Sequence, residues 1–164
     1  MRSRVTVKER KEFRRHALKA HKDLRAVACI PDFELATATA RAVLPATVLR
    51  ADAVDNVSRA ILLASALQRG GWGDLACAME DRLHQPYRAR LVPGLGAALS
   101  AAVKAGAAGA ALSGSGPSVF AFVTGNSARQ VGEAMKRAFA RHRVTSHWLG
   151  LNVDHQGVRL ERLK

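Results

Sequence analysis

The chain has 164 residues, 48% of them hydrophobic and 24% charged, which suits one domain able to bury its own core and speaks against a disordered chain. Its two cysteines, Cys29 and Cys77, sit in apolar contexts. They argue against a disulfide framework or a metal site and for a reducing, cytoplasmic setting. The net charge of +13 is uneven, because residues 1–25 hold ten Lys and Arg against three acids, and the rest of the chain sixteen against ten.

A basic segment of this kind can bind phosphate backbones. It carries a single aromatic residue, Phe13, and no zinc spacing or nucleic-acid motif. Residues 1–21 are therefore expected to be a solvated leader, disordered or irregular, with nucleic-acid binding as the lesser alternative. Glu9, Glu12 and the scarcity of serine argue against a transit peptide. No membrane span is expected either. The uncharged stretch 105–128 is interrupted by Ser113, Gly114, Ser115, Gly116, Pro117 and Ser118.

In chain order, Ala26-Val-Ala-Cys-Ile30 reads as a short buried strand ended by Pro31. A short helix is expected from about Glu34 to Leu44. A clearer one follows, capped by Asp52, lined on its core face by Val57, Ala60, Ile61, Ala64 and Leu67, and ended by Gly70-Gly71. Asp74 can cap a third helix with the stripe Leu75, Ala78, Met79 and Leu83, continuing with a kink through Pro86. Pro93 suits the start of a fourth, with Leu95, Ala98, Leu99, Ala102 and Val103 along one face and Gly106 at its end.

The period then changes. Ala107–Leu112 and Val119–Val123 read as a hairpin of buried strands around a Gly-Ser turn. A fifth helix carries Val131, Ala134, Met135, Ala138 and Phe139, and residues 144–151 and 157–163 read as final strands. The order implies an α+β fold of ferredoxin-like split βαββαβ type, an antiparallel sheet with helices on one face and extra helices in the first crossover.

Three stretches carry a resemblance: Ile30-Pro-Asp-Phe-Glu-Leu-Ala-Thr-Ala-Thr-Ala-Arg41 with Val43-Leu-Pro45; Asp81-Arg-Leu-His-Gln-Pro-Tyr-Arg88 with Leu91-Val-Pro-Gly94; and Gly106-Ala-Ala-Gly-Ala-Ala-Leu-Ser-Gly-Ser-Gly-Pro-Ser118. In this order and spacing, residues 22–164 resemble the carboxy-terminal domain of bacterial homoserine kinases, in the GHMP kinase superfamily. The Pro-x-x-x-Gly-Leu-Gly-Ser-Ser loop of that superfamily's amino-terminal domain does not occur in the sequence. The chain thus reads as a truncated half, inactive alone and prone to self-association, with leader residues 1–21 a product of displaced initiation or a shifted frame.

The resemblance implies phosphorylation of the L-homoserine hydroxyl, in threonine biosynthesis, by ATP with Mg²⁺ in the complete enzyme, and no cofactor for this chain alone. It places Arg41 and Arg88 at carboxylate-binding positions and Thr37 near the substrate hydroxyl. Arginine suits that task because its planar fork meets a carboxylate bidentately; a surface ion pair is the plain alternative for each. Gly114, Ser115 and Gly116 are supporting positions in a loop able to turn its amides inward, with a tight hairpin turn as the alternative. His84 beside Asp81 could be a general base, but a surface Asp-His pair is the preferred reading. No catalytic residue is assigned, and His16, His21, His142, His147 and His155 lack metal-ligand spacing. The rival readings are a non-catalytic substrate-binding or interaction module, including a homodimer, and a basic nucleic-acid binder.

Overall fold

The computed structural model describes residues 3–9 and 12–154, with side chains from Leu18 onward. Strands β1 (Ser3–Glu9) and β2 (Glu12–Leu18) pair antiparallel, from Ser3 opposite Leu18 to Glu9 opposite Glu12. Over these two stretches the structure departs from the irregular leader expected for residues 1–21. Val5-Thr6-Val7 is a β-branched run, and its strand preference prevails over the charge of its neighbours. The boundary near His21 is also less sharp than the composition implies. The His21 N–H donates to the Leu67 carbonyl at 2.8 Å, and its ring meets Trp72 edge-on at 5.4 Å.

Strand β3 (Arg25–Pro31) is the expected apolar run. With β4 (Gly109–Leu112), β5 (Val119–Val123) and β6 (Ser146–Asn152) it forms a sheet of order β4-β5-β3-β6, antiparallel throughout. Between β3 and β4 run α1 (Thr37–Ala42), α2 (Arg50–Arg69), α3 (Leu75–Ala78), α4 (Gln85–Arg88) and α5 (Leu95–Lys104); α6 (Ala128–Arg141) joins β5 to β6. This is the ferredoxin-like split βαββαβ with helices inserted in the first crossover. The strand expected over 157–163 lies outside the described residues. None of the described helices is long and apolar enough to cross a membrane.

The core lies between the sheet and α5 with α6. Val27, Cys29, Val119, Ala121 and Val123 point into it from the strands, Leu95, Ala98 and Ala102 from α5, and Val131, Met135 and Phe139 from α6. Alternation along each strand sends Ala26, Phe120, Phe122 and Leu151 to the opposite face. That face was not expected to carry helices, yet it does. Ala64 and Leu67 of α2 border a 470 Å³ groove with Phe120 and Phe122. A methyl group on Gly109 would stand 2.7 Å from the Leu75 carbonyl oxygen, so only glycine lets α3 approach β4 this closely.

Three helices depart from expectation. The first is shorter than Glu34–Leu44, being confined to α1. The second has only the earlier part of its expected core face in water: Val57 is 62% and Ile61 67% exposed, Ala64 and Leu67 are half-buried, and within α2 only Ala66 is fully buried. Asp52 does not cap it but stands in its first turn. The third breaks after one turn into α3, a loop, and α4 with Pro86 in its first turn. The break follows from Asp81, whose carboxylate captures the backbone N–H groups of Leu83, His84 and Gln85, donors a continuous helix would have used internally. Asp74 makes no cap and pairs with Arg69 instead.

Candidate functional site

A cleft of 530 Å³ opens where α1, α4, β4 and the loop after β4 converge. Helix α1 contributes Thr37 and Arg41, one turn apart and therefore on one face. The α3–α4 turn and α4 contribute Asp81, His84, Gln85 and Arg88, β4 contributes Ala111 and Leu112, and the loop contributes Gly114 and Ser115. Thus Thr37, Arg41, Arg88, Gly114 and Ser115, separated by up to 78 positions in the chain (37 to 115), meet at one opening.

The two arginines are held differently. Arg88 donates from Nε to the Ala40 carbonyl at 3.1 Å and from Nη1 to the Gly114 carbonyl at 2.8 Å. Its guanidinium therefore braces α1 against the loop and keeps Nη2 uncommitted. The Arg41 guanidinium, on the exposed side of α1, has no hydrogen bond or ion pair among the described residues. Its whole fork faces solvent in the cleft mouth.

Asp81 is the most heavily bonded side chain of the cleft. Oδ1 accepts from Asn56 Nδ2 at 2.7 Å and from the Leu83 N–H at 2.9 Å; Oδ2 accepts from the His84 N–H at 2.9 Å and from the Gln85 N–H. Burial pushes its carboxyl pKa up, but the bonds from Gln85, Asn56, Leu83 and His84 prevail and hold it at about 2. His84 Nδ1 lies 3.4 Å from Oδ1, the long edge of a hydrogen bond, with its side chain half exposed.

The loop turns at Gly114, φ 57°, and Gly116, φ 88°, both in the left-handed region that favours glycine. Its hairpin is closed by the Ser113 N–H on the Ser118 carbonyl at 2.8 Å and the Gly116 N–H on the Ser113 carbonyl at 2.9 Å. Gly116 does not border the cleft. It packs beneath the loop, where an added methyl would come within 3.1 Å of Leu112.

Asn56 and Gln85 were not among the residues singled out by sequence. Gln85 Oε1 accepts from the Leu112 N–H at 2.7 Å, and Asn56 Oδ1 from the Arg82 N–H at 2.9 Å. Asn56, on α2, lies 25 positions before Asp81 in the α3–α4 turn, and no local spacing reports such a bond. Among the described residues no group of three or more His, Cys, Asp or Glu side chains could hold a metal ion.

Residues 63–141 match the family model of the GHMP kinases C-terminal domain. The chain is 49% identical to the homoserine kinase of Desulfitobacterium hafniense over 133 residues, 81% of this chain and 45% of that protein. It is 37% identical to the homoserine kinase of Persephonella marina over 160 residues, 98% of this chain and 53% of that one. That alignment reaches into residues 1–21, which corrects the expectation that the basic segment is foreign to such proteins. In the crystal structure of the Cytophaga hutchinsonii homoserine kinase a region covering 88% of this chain and 46% of that one superposes with a TM-score of 0.83 at 32% identity. The chain spans about half the length of these relatives. The chain therefore carries a C-terminal domain of the GHMP kinases and is similar to about half of each of these homoserine kinases.

Proposed function

We propose that the chain forms the substrate-gripping part of an ATP-dependent homoserine kinase. In that reaction the L-homoserine hydroxyl oxygen bonds to the γ-phosphorus, the bond to the ADP oxygen breaks, and the hydroxyl proton is released. The observation that carries the reading is the meeting of Thr37 with two arginines in one cleft, Arg41 having no partner among the described residues. A free guanidinium fork beside apolar walls suits a small carboxylate with a short aliphatic body. Arg41 takes that carboxylate bidentately, and Arg88 adds the single nitrogen it has left. Ala111 and Leu112 meet the methylenes, and the Thr37 hydroxyl receives the far end of the substrate.

Phosphoryl transfer depends mainly on positioning and on charge stabilisation of a loose transition state. What these residues contribute is aim: a substrate anchored at its carboxylate presents its hydroxyl in one direction. His84 is not needed as a base in this account. Mg²⁺ supplies charge neutralisation at the nucleotide's phosphates in such reactions, and the described residues offer no ligand cluster that fits it.

The test is titration calorimetry of the purified chain with L-homoserine and with L-homoserine amide, which lacks the carboxylate. Binding of the acid is expected to exceed that of the amide by at least tenfold, and Arg41→Ala to abolish the difference. Removing one partner of such a charged pair typically costs about 2–5 kcal/mol. Equal affinity for acid and amide would sink the reading. A second reading, homoserine binding without turnover, is favoured by the Ser113–Ser118 loop, which has no lysine and enters strand β5 rather than a helix. Homoserine-dependent ADP release, sensitive to Arg41→Ala, separates the two.

A further inference from the structure

A carboxylate bordering a cleft for an amino acid is the obvious partner for the substrate's ammonium group, and among the described residues Asp81 is the one such group in this cleft. Its oxygens are already occupied. An ionised carboxylate accepts about four hydrogen bonds, and Asn56, Leu83, His84 and Gln85 supply four, with His84 Nδ1 close behind. No acceptor position is left for a ligand, so its role must lie in what it holds.

What it holds is α4. That helix is a single turn of four residues, too short to persist by its own hydrogen bonds. Asp81 fastens its N-terminal end, Gln85 ties it to β4 through the Leu112 N–H, and the Arg88 N–H closes the turn on the His84 carbonyl at 3.1 Å. The rigidity comes from outside. Asn56 stands on the 20-residue helix α2 and grips both sides of the turn, donating to Asp81 and accepting from the Arg82 N–H. At the far end of α4, Arg88 reaches the carbonyls of Ala40, next to Arg41, and of Gly114.

We infer that Asn56 and Asp81 form a latch between α2 and α4 that positions Arg88, so that Asp81 is a positioning residue for the substrate's carboxylate rather than a ligand for its ammonium. The inference deepens the proposed function and rests on it where homoserine is the probe.

A double-mutant cycle on the purified chain tests it, with the dissociation constant for L-homoserine as the readout. Asp81→Asn puts an amide NH₂ where two backbone N–H groups need an acceptor, and is expected to weaken binding about tenfold or more, as is usual for a broken charged hydrogen-bond set. In an Arg88→Ala background the same change is expected to add less than about twofold, because residues acting through one another are not additive. Full additivity would overturn the inference and return Asp81 to direct ligand contact, and so would unchanged binding by Asp81→Asn.

The latch can also be read without homoserine. The Arg88 Nε–H, bonded to the Ala40 carbonyl, is expected to give a slowly exchanging side-chain NMR signal, identified by its loss in Arg88→Ala. Asp81→Asn is expected to abolish that protection; a retained signal overturns the latch. If Asp81→Asn does not fold, Asn56→Ala serves in both measurements, since it leaves the three backbone bonds of Asp81 in place and removes the tie to α2. A chain that binds no homoserine yet loses Arg88 protection in these variants keeps the latch and discards the homoserine reading. Intact protection with normal homoserine binding does the reverse.

Discussion

Helices α2 and α6 both carry an apolar stripe at helical spacing, and the fold treats them in opposite ways. In α6 the stripe goes inward: Val131, Met135 and Phe139 are fully buried against the sheet and α5, while Arg129, Lys136, Arg137 and Arg141 occupy the remaining surface. In the first half of α2 the arrangement is inverted. Val54, Val57 and Ile61 lie in water, and the side turned toward α3 is polar. There Arg59 pairs with Asp55 at 2.6 Å and with Glu80 at 2.9 Å, and it also donates to the Cys77 carbonyl. Asp52 and Asp55 reach Arg82, and Asn56 reaches Asp81. A stripe in a sequence identifies a face able to be buried, not the face that is. Helix α6 has one apolar face and a charged remainder, so its choice is forced; the polar contacts of α2 with the α3–α4 turn override its pattern.

The largest effect that sharpens this contrast is in α6. Phe139→Ala is expected to lower stability to urea by about 3–5 kcal/mol, the usual cost of an aromatic cavity in a packed core. A loss under about 1 kcal/mol would mean that α6 is not the helix that holds the sheet.

On the inner side of α2 the expected effect is pH-dependent. The folded Asp81 carboxyl lies near 2, below its ordinary value of 3.8, so its bonds stabilise the fold fully above about pH 4. That contribution is lost as pH falls from 3.8 toward 2 and amounts to something on the order of 2 kcal/mol. Glu80, Arg82, His84, Tyr87 and Arg88 are the other charged or titratable groups of this turn and α4, and further carboxylates titrate in the same range. The quantity to measure is therefore the stability of the parent minus that of Asp81→Asn between pH 2 and 5. A difference that stays flat over this window would show that the carboxylate charge plays no part.

A smaller effect concerns how closely α6 approaches β6. A methyl group at Gly132 would fall on the Trp148 indole, whose Nε1–H donates to Glu133 at 2.9 Å. Gly132→Ala gains up to about 1 kcal/mol of helix preference and loses about 1–3 kcal/mol through overpacking. A net destabilisation of about 1 kcal/mol is expected, with a shift in tryptophan emission. A stabilised variant would break the account of that contact.

The smallest effect is on the outer side of α2. Ile61→Lys is expected to change stability by no more than about 0.5 kcal/mol, since a 67% exposed side chain leaves little contact to lose. A large loss there would put the stripe back in a core and erase the contrast.

The sheet, the hairpin and α6 are legible because their periods are clean and Gly106 marks where the preceding helix ends. Thr37, Arg41 and Arg88 were legible through family motifs, not through spacing, since nothing local joins α1 to α4. Residues 5–7 carried a strand signal that their charged neighbours obscured. The α3–α4 break is hidden in the sequence because Pro86 reads there as a kink, whereas Asp81, five positions earlier, claims the N–H groups. Asn56 and Gln85 were invisible for a simpler reason: an amide chain on a helix looks like surface until its partner from another element is in place.

The two tryptophans of the chain sit in unlike settings, and this has a spectroscopic consequence. Trp148, on β6, is half-buried against α6 and bonded to Glu133, whereas Trp72 meets His21 edge-on just past the end of α2. With either one replaced, the emission of the other therefore reports its own setting alone. Trp148 reports the packing of the central sheet, and Trp72 reports whether the segment that leads into β3 stays seated on α2. Single Trp→Phe variants followed during unfolding would time those two events independently, with no added dye or label.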